Sequence, residues 1–218
     1  MVKGGEGVSG PKKIPTFVKD PRLVEERRDQ IIRAAVDLFI SKGFHKTTTR
    51  EIAQASKFSI GTLYEYISTK EDILYLVCYD INRRMREGLE HVLGRALPAD
   101  EELRLAFRRL VEVIDAMDDD VLLIYQETKS LTREAMHDVL AKETEITVVF
   151  ADILKRGLQE GVFRLDVQDV DLMAENIVVL AEMWAFRRWA LRHKYTLEQY
   201  IERQTRLLLS ELLSGERV

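Results

Sequence analysis

The chain has 218 residues, 46% apolar and 32% charged, enough to bury a core and too apolar for disorder. The net charge of −4 hides a split. Residues 1–70 carry 13 Lys and Arg against 8 Asp and Glu, while residues 71–218 carry 20 against 29. A basic first third suits a polyanion partner and the acidic remainder does not. No apolar run reaches the roughly 18 residues of a membrane span. The N-terminus lacks the apolar core of a signal peptide, which points to the cytoplasm and no membrane partner. Cys78 is the single cysteine, so an intramolecular disulfide is impossible, and its apolar neighbours mark it as a core residue.

Residues 1–20 hold four of the 11 glycines and two of the four prolines and read as a flexible arm. Lys3, Lys12, Lys13 and Lys19 give that arm a basic character suited to a minor groove or to phosphates. A first helix is expected from Pro21 to Lys42, with Ile31, Ile32, Ala35, Leu38 and Phe39 on one face and Gly43 as its left-handed stop. Thr48 and Glu51 have the spacing of a capping box, so a second, short helix runs to Ala55. Ser56, Lys57 and Phe58 form a turn. Ser59 caps a third helix over residues 60–67. Ser68 with Glu71 is expected to cap a fourth, from Lys70 to about Leu93.

Two short helices joined by a tight turn have the layout of a helix-turn-helix reader of double-stranded DNA. The spacing leaves Ile60, Thr62, Tyr64 and Tyr66 with faces available to a groove or a backbone. Thr and Tyr hydroxyls suit phosphate oxygens, and a Thr methyl suits a thymine methyl. Lys70, in a first helical turn, is placed to meet a phosphate.

The run from Thr47 to Leu74, TTTREIAQASKFSIGTLYEYISTKEDIL, resembles the DNA-binding domain of the tetracycline-repressor (TetR) family. The likeness covers roughly residues 25–75. It rests on Gly43-Phe44, Thr47-Thr48, Ile52-Ala53, Ser59, Gly61-Thr62-Leu63-Tyr64, Tyr66 and Lys70-Glu71. Three positions depart from the family pattern. Lys57 stands where a glycine is usual and is expected to need a left-handed backbone. Ile60 replaces a basic or small residue. Ile67 replaces phenylalanine. Thr48, Arg50, Ser59, Ile60, Thr62, Tyr64, Tyr66 and Lys70 form the expected DNA-binding set, with Arg50, Ile60, Thr62 or Tyr64 reading bases.

The rest of the chain reads as helices broken at Leu97–Asp100, at Asp118–Asp120, near Leu131, at Gly161–Asp166 and near Tyr195. Leu103, Phe107, Leu110, Val111 and Ile114 line one helix. A short helix covers residues 121–131 and a long one 132–159. Another covers 167–193, and the last opens with a Thr196–Gln199 capping box. The chain is thus expected to be all-α, with an arm at 1–20, a reader at 21–69 and a helical ligand-binding and dimerisation domain at 70–218. The resemblance implies a homodimer formed by the last two helices, consistent with the apolar stripe between Leu197 and Leu212. It also implies a small-molecule effector site, with Tyr75, Tyr79, Phe107, Leu110, Ile114, Tyr125 and Trp184 as candidate walls. Residues 125–164 look similar to TetR-like regulators of fatty-acid breakdown that respond to acyl-CoA, and Arg83, Arg84 and Arg86 are candidates to meet an anionic head. A ligand-released repressor follows. The rival readings are a helical activator or interaction module, or an all-helical enzyme.

Against an enzyme, His45, His91, His137 and His193 lie far apart and show no metal-ligand spacing. There is no nucleophile elbow and no phosphate loop. No catalytic residue, metal or cofactor is expected. Asp118-Asp119-Asp120 reads as a turn and helix start rather than a metal cluster.

Overall fold

The computed structural model describes residues 12–90, 92–93 and 97–214. Residues 1–11, with Lys3 of the arm, lie outside the described residues, as do His91 and Gly215. Among the described residues the chain is helical with no strand. It divides into two compact units: residues up to Asp80 with Gln126–Ala141, and Ile81–Tyr125 with Lys142 onward.

In the first unit, α1 (Pro21–Lys42) starts where the Asp20 carboxylate accepts the amides of Arg22 and Leu23. It stops at Gly43, whose φ of 83° a side chain would resist. Val24, Ile31, Ile32, Ala35 and Phe39 are buried and pack toward α2 (Thr49–Ala55) and α3 (Ile60–Tyr66). Each of these two helices has seven residues, too short to stand alone in water. Ile52, Ala53, Leu63 and Ile67 bury their apolar face. Thr48 and Glu51 form the expected capping box. Ser59 Oγ accepts the Thr62 amide at 3.0 Å.

The start of α4 (Lys70–Glu90) corrects one expectation. The cap is Thr69 with Asp72, not Ser68 with Glu71: the Thr69 amide donates to Asp72 Oδ2 and the Asp72 amide to Thr69 Oγ1, both at 3.0 Å. Lys12 pairs with the other oxygen of Asp72 at 2.8 Å. Cys78 is buried on α4, as expected, and burial pushes its thiol up to about 12. A deprotonated thiolate is therefore disfavoured.

In the second unit, α5 (Ala99–Ala116) buries Leu103, Phe107, Leu110, Val111 and Ile114. It packs against α8 (Val170–Phe186) and α10 (Leu197–Ser214). Arg108 on α5 grips both oxygens of Glu198 on α10, at 2.6 and 2.7 Å. Trp184 on α8 donates its ring N–H to Asp115 on α5 at 2.7 Å. In chain order α6 (Asp118–Glu127) and α7 (Arg133–Gln159) come between α5 and α8. The helix expected over 167–193 breaks at Arg187, leaving a single turn, α9 (Arg188–Leu191). The Thr196–Gln199 box caps α10 as expected. No helix is long and apolar enough to cross a membrane among the described residues.

Candidate DNA interface

The expected reading face is built on the first turn of α2 and the outer side of α3. Thr48, Arg50, Ser59, Ile60 and Tyr64 are exposed, and Thr62 is half-buried. Ser59 Oγ and Thr62 Oγ1 lie 2.9 Å apart, so the two hydroxyls form one unit at the helix start. Tyr64 OH lies 3.2 Å from Thr49 Oγ1. That contact ties α3 to α2 across the turn and fixes where the Tyr64 ring points. Thr49 was not among the expected residues. It is the third residue of the Thr47–Thr49 run, and a local reading cannot tell which of three threonines reaches a neighbour.

Lys57 adopts φ 63°, the left-handed backbone expected of it, and its side chain is exposed in the turn beside the face. Lys46 is exposed as well. Both add positive charge that the motif alone did not single out. Glu51 is held at about 2, first by the Lys42 ammonium and then by Thr48, so it stays ionised as a cap.

Two expected contacts are corrected. Tyr66 is 5% exposed, with its ring stacked on Phe58 at 6.3 Å, so it belongs to the core of the reader. Lys70 turns inward. Its ammonium donates to the main-chain oxygens of Phe44, His45 and Thr47 at 2.9, 3.4 and 3.1 Å. An ammonium has three donors, and these carbonyls account for all of them. The basic arm is also corrected at Lys12, which is paired with Asp72 rather than free for phosphate.

The candidate effector walls fall in both units. In the first, Tyr75 is buried and Tyr79 half-buried, their rings 5.9 Å apart. Burial, then the Asp138 carboxylate, pushes the Tyr75 hydroxyl up to about 12. That hydroxyl is buried with no partner in hydrogen-bond geometry, although the Lys12 backbone lies close by. In the second unit Phe107, Leu110 and Ile114 are fully buried on α5. Trp184 is buried with its N–H satisfied and its ring 4.9 Å from Tyr200. Tyr125 is 72% exposed, its ring against Phe186, so it is not an interior wall.

The arginine cluster is largely committed. Arg83 pairs with Glu87 and Arg84 with Asp120, both at 2.8 Å. Arg86 lies 3.8 Å from Glu90 and keeps a buried Nη1 without a hydrogen bond. Asp118 and Asp119 are neutralised by Arg188, and Asp118 also by Arg192, as suits a structural helix start. No group of metal-ligating side chains occurs among the described residues. Glu182 on α8 is raised to about 8, first by burial and then by Glu143 on α7 and Glu175.

Sequence and fold comparisons agree with this layout. The family described as bacterial regulatory proteins, tetR family, matches residues 31–75, and the tetracyclin repressor-like C-terminal domain matches residues 96–189. The HTH-type transcriptional regulator HbdR of Aromatoleum sp. (strain CIB) is 34% identical over 210 residues, 96% of this chain and 90% of the relative. The chain belongs to the TetR family. It is a transcriptional regulator, and its relatives are regulators rather than enzymes. The HTH-type transcriptional repressor KstR2 of Mycolicibacterium smegmatis (strain ATCC 700084 / mc(2)155) is 29% identical over 78% of this chain and 82% of its own. The fold matches that of AibR, solved in complex with isovaleryl coenzyme A and operator DNA. Its TM-score is 0.70 at 20% identity, over 87% of this chain and 100% of that one. In this TetR-family protein, the helix-turn-helix that the family model covers is the same α2–α3 pair that carries the exposed hydroxyls.

Proposed function

We propose that this protein represses transcription by binding a pseudo-palindromic operator as a homodimer, and that a small hydrophobic or acyl-CoA-like effector releases it. The observation that carries the DNA part is the exposed face of Ile60, Tyr64, Thr62, Ser59 and Thr48 with Arg50 beside it. The hydroxyls hold phosphates, and Arg50, Ile60, Thr62 or Tyr64 read bases. Lys46 and Lys57 add to the attraction. The repressor direction is supported by KstR2, which is named a repressor.

The dimer is supported by apolar side chains left outside the second unit's core. Leu172 and Val179 on α8, and Leu207 and Leu213 on α10, are between 41 and 62% exposed. Tyr200, Ile201, Leu208 and Leu212 of the expected stripe instead turn inward. Two copies joined on such faces present two readers to two half-sites. The effector class is supported by the isovaleryl coenzyme A in AibR. The buried Phe107, Leu110 and Ile114 are the candidate contacts for an acyl chain. Arg86, whose Nη1 makes no hydrogen bond and has only a 3.8 Å ion pair to Glu90, is the arginine placed to meet an anion.

The test is selection of bound duplexes from random DNA, followed by titration of the selected operator with isovaleryl and longer acyl-CoA thioesters. A palindromic site and its release by one thioester are expected. Failure to enrich any sequence sinks the DNA reading, and enrichment with no release by any thioester sinks the effector class. A reporter under the selected site, raised rather than lowered by the protein, would make it an activator. Sedimentation of Val179→Asp/Leu207→Asp is expected to show a monomer.

A further inference from the structure

Helix α3 ends at Tyr66, and its last carbonyls have no partners within the helix. They are met by side chains and backbone from outside it. Thr16 Oγ1 and the Phe17 amide both donate to the Glu65 oxygen, at 2.8 and 3.2 Å. Arg28 on α1 donates to the Tyr66 oxygen at 3.1 Å and, through its other nitrogen, to the Ile14 oxygen at 2.9 Å. Ile14 is buried. Residues 12–18 therefore form a strap over the C-terminal end of the reading helix, not a free basic arm.

The other end of the strap is Lys12, which makes two bonds of different kinds. Its ammonium pairs with Asp72 Oδ1 at 2.8 Å, in the first turn of α4. Its main-chain amide donates to Asp138 Oδ2 on α7 at 2.7 Å. Asp72 and Asp138 are both buried, 5 and 6% exposed. The same Asp72 caps α4 through Thr69. Only Ile67, Ser68 and Thr69 separate α3 from α4. Any change in the direction of α4's first turn is therefore felt at the C-terminal end of α3, and Lys12 joins that turn to α7.

We propose that Lys12 is a positioning residue for DNA reading, a link that fixes α3 through Asp72 and ties it to α7 through Asp138. The inference rests on the protein being a sequence-reading regulator. It says that the aim of α3 depends on a residue that touches no DNA. The Asp72 side of the pair is buried and the Lys12 side part-exposed, so removing the ammonium leaves a buried carboxylate without its cation. The second bond, from the backbone, survives side-chain substitution and keeps the strap attached at α7.

The test uses the full chain and the operator it selects from random DNA. Lys12→Met, Lys12→Arg and Thr16→Val are compared with the parent for operator affinity, affinity for a non-cognate duplex, salt dependence and thermal melting. Lys12→Met is expected to weaken operator binding by about tenfold. Its non-cognate binding and the slope of log affinity against log salt should match the parent's. Lys12→Arg should stay within about twofold of the parent, because the charge is kept. Thr16→Val, which leaves the charges intact, should shift operator affinity in the same direction as Lys12→Met and by less.

Operator affinity unchanged in Lys12→Met overturns the proposal. A salt slope shallower by about 0.9 also overturns it, since that would make Lys12 a phosphate contact. Equal losses on operator and non-cognate DNA, tracking the loss of melting temperature, overturn it in favour of a purely structural ion pair. If the parent itself selects no sequence, the regulator reading fails and takes this inference with it. A parent that selects a site while Lys12→Met binds it equally well sinks the inference alone.

Discussion

The Lys70 ammonium donates to the main-chain oxygen of Phe44 at 2.9 Å and lies 4.3 Å from the centre of the Phe44 ring. Lys70 opens α4, and Phe44 sits in the loop between α1 and α2, so the pair closes the reader from its last helix to its first loop. Phe44 in turn packs edge-on to Phe39 of α1, at 5.3 Å. Lys70→Met removes the donor from three carbonyls while keeping the aliphatic stem. The expected result is a melting temperature lower by roughly 3–8 °C. Operator affinity should fall with it, and the salt slope should stay at the parent's value. A shallower slope would show that the ammonium leaves these carbonyls to meet a phosphate.

Lys57 holds a left-handed backbone at φ 63° with an exposed side chain. Lys57→Gly should raise stability by about 0.5 kcal/mol, and Lys57→Val should lower it by about 1 kcal/mol or more. Urea unfolding of both variants checks the pair. Two shifts of the same sign would show that backbone strain is not what distinguishes them.

Gly157 on α7 leaves no room for a side chain, because a Cβ there would come within 2.0 Å of Phe163 Cδ2. Phe163 is itself buried at the start of the loop to α8. Gly157→Ala should therefore cost ~1–3 kcal/mol from overpacking. In the double variant Gly157→Ala/Phe163→Leu, the loss should be smaller than the sum of the two single losses, since the smaller side chain makes way. Additive losses in a thermodynamic cycle would mean that the ring already moves aside freely.

Glu182 gives the second unit a pH dependence of known sign. Its folded value, about 8, lies above the ordinary 4.5, so the folded state holds a proton that the unfolded state releases. Stability from this group is complete below the unfolded value and is lost as pH rises toward about 8. Glu143 is raised as well, by burial and then by Glu175, and acts in the same direction. Glu182→Gln should match the parent near pH 4 and melt roughly 3–8 °C higher at pH 9. Equal melting temperatures at pH 9 would show that solvent already screens this carboxylate.

Much of the helix layout was legible because its signals are local. Thr48 with Glu51, Ser59 with Thr62, and Thr196 with Gln199 all cap within three residues, a spacing that the chain itself supplies. The pair at α4 shows the limit of such reading. Ser68–Glu71 and Thr69–Asp72 have the same spacing, and the pair that forms is the one whose carboxylate also meets Lys12, 60 residues away. Tyr66 and Tyr64 are likewise two residues apart and chemically alike, yet one stacks on Phe58 and the other faces out.

By itself, the sequence determined an all-helical chain with a TetR-type reader at its basic end, because helix caps, turn residues and apolar periodicity act over a few residues. Only the tertiary structure decided which charges and hydroxyls are free. Lys12 and Lys70 look like phosphate ligands in the chain, but their ammonium groups are spent on Asp72 and on three loop carbonyls. Arg84, Arg188 and Arg192 are spent on Asp115, Asp118, Asp119 and Asp120. The physical reason is that a long charged side chain takes the nearest unpaired acceptor in space, and that acceptor comes from a part of the chain that only folding brings near.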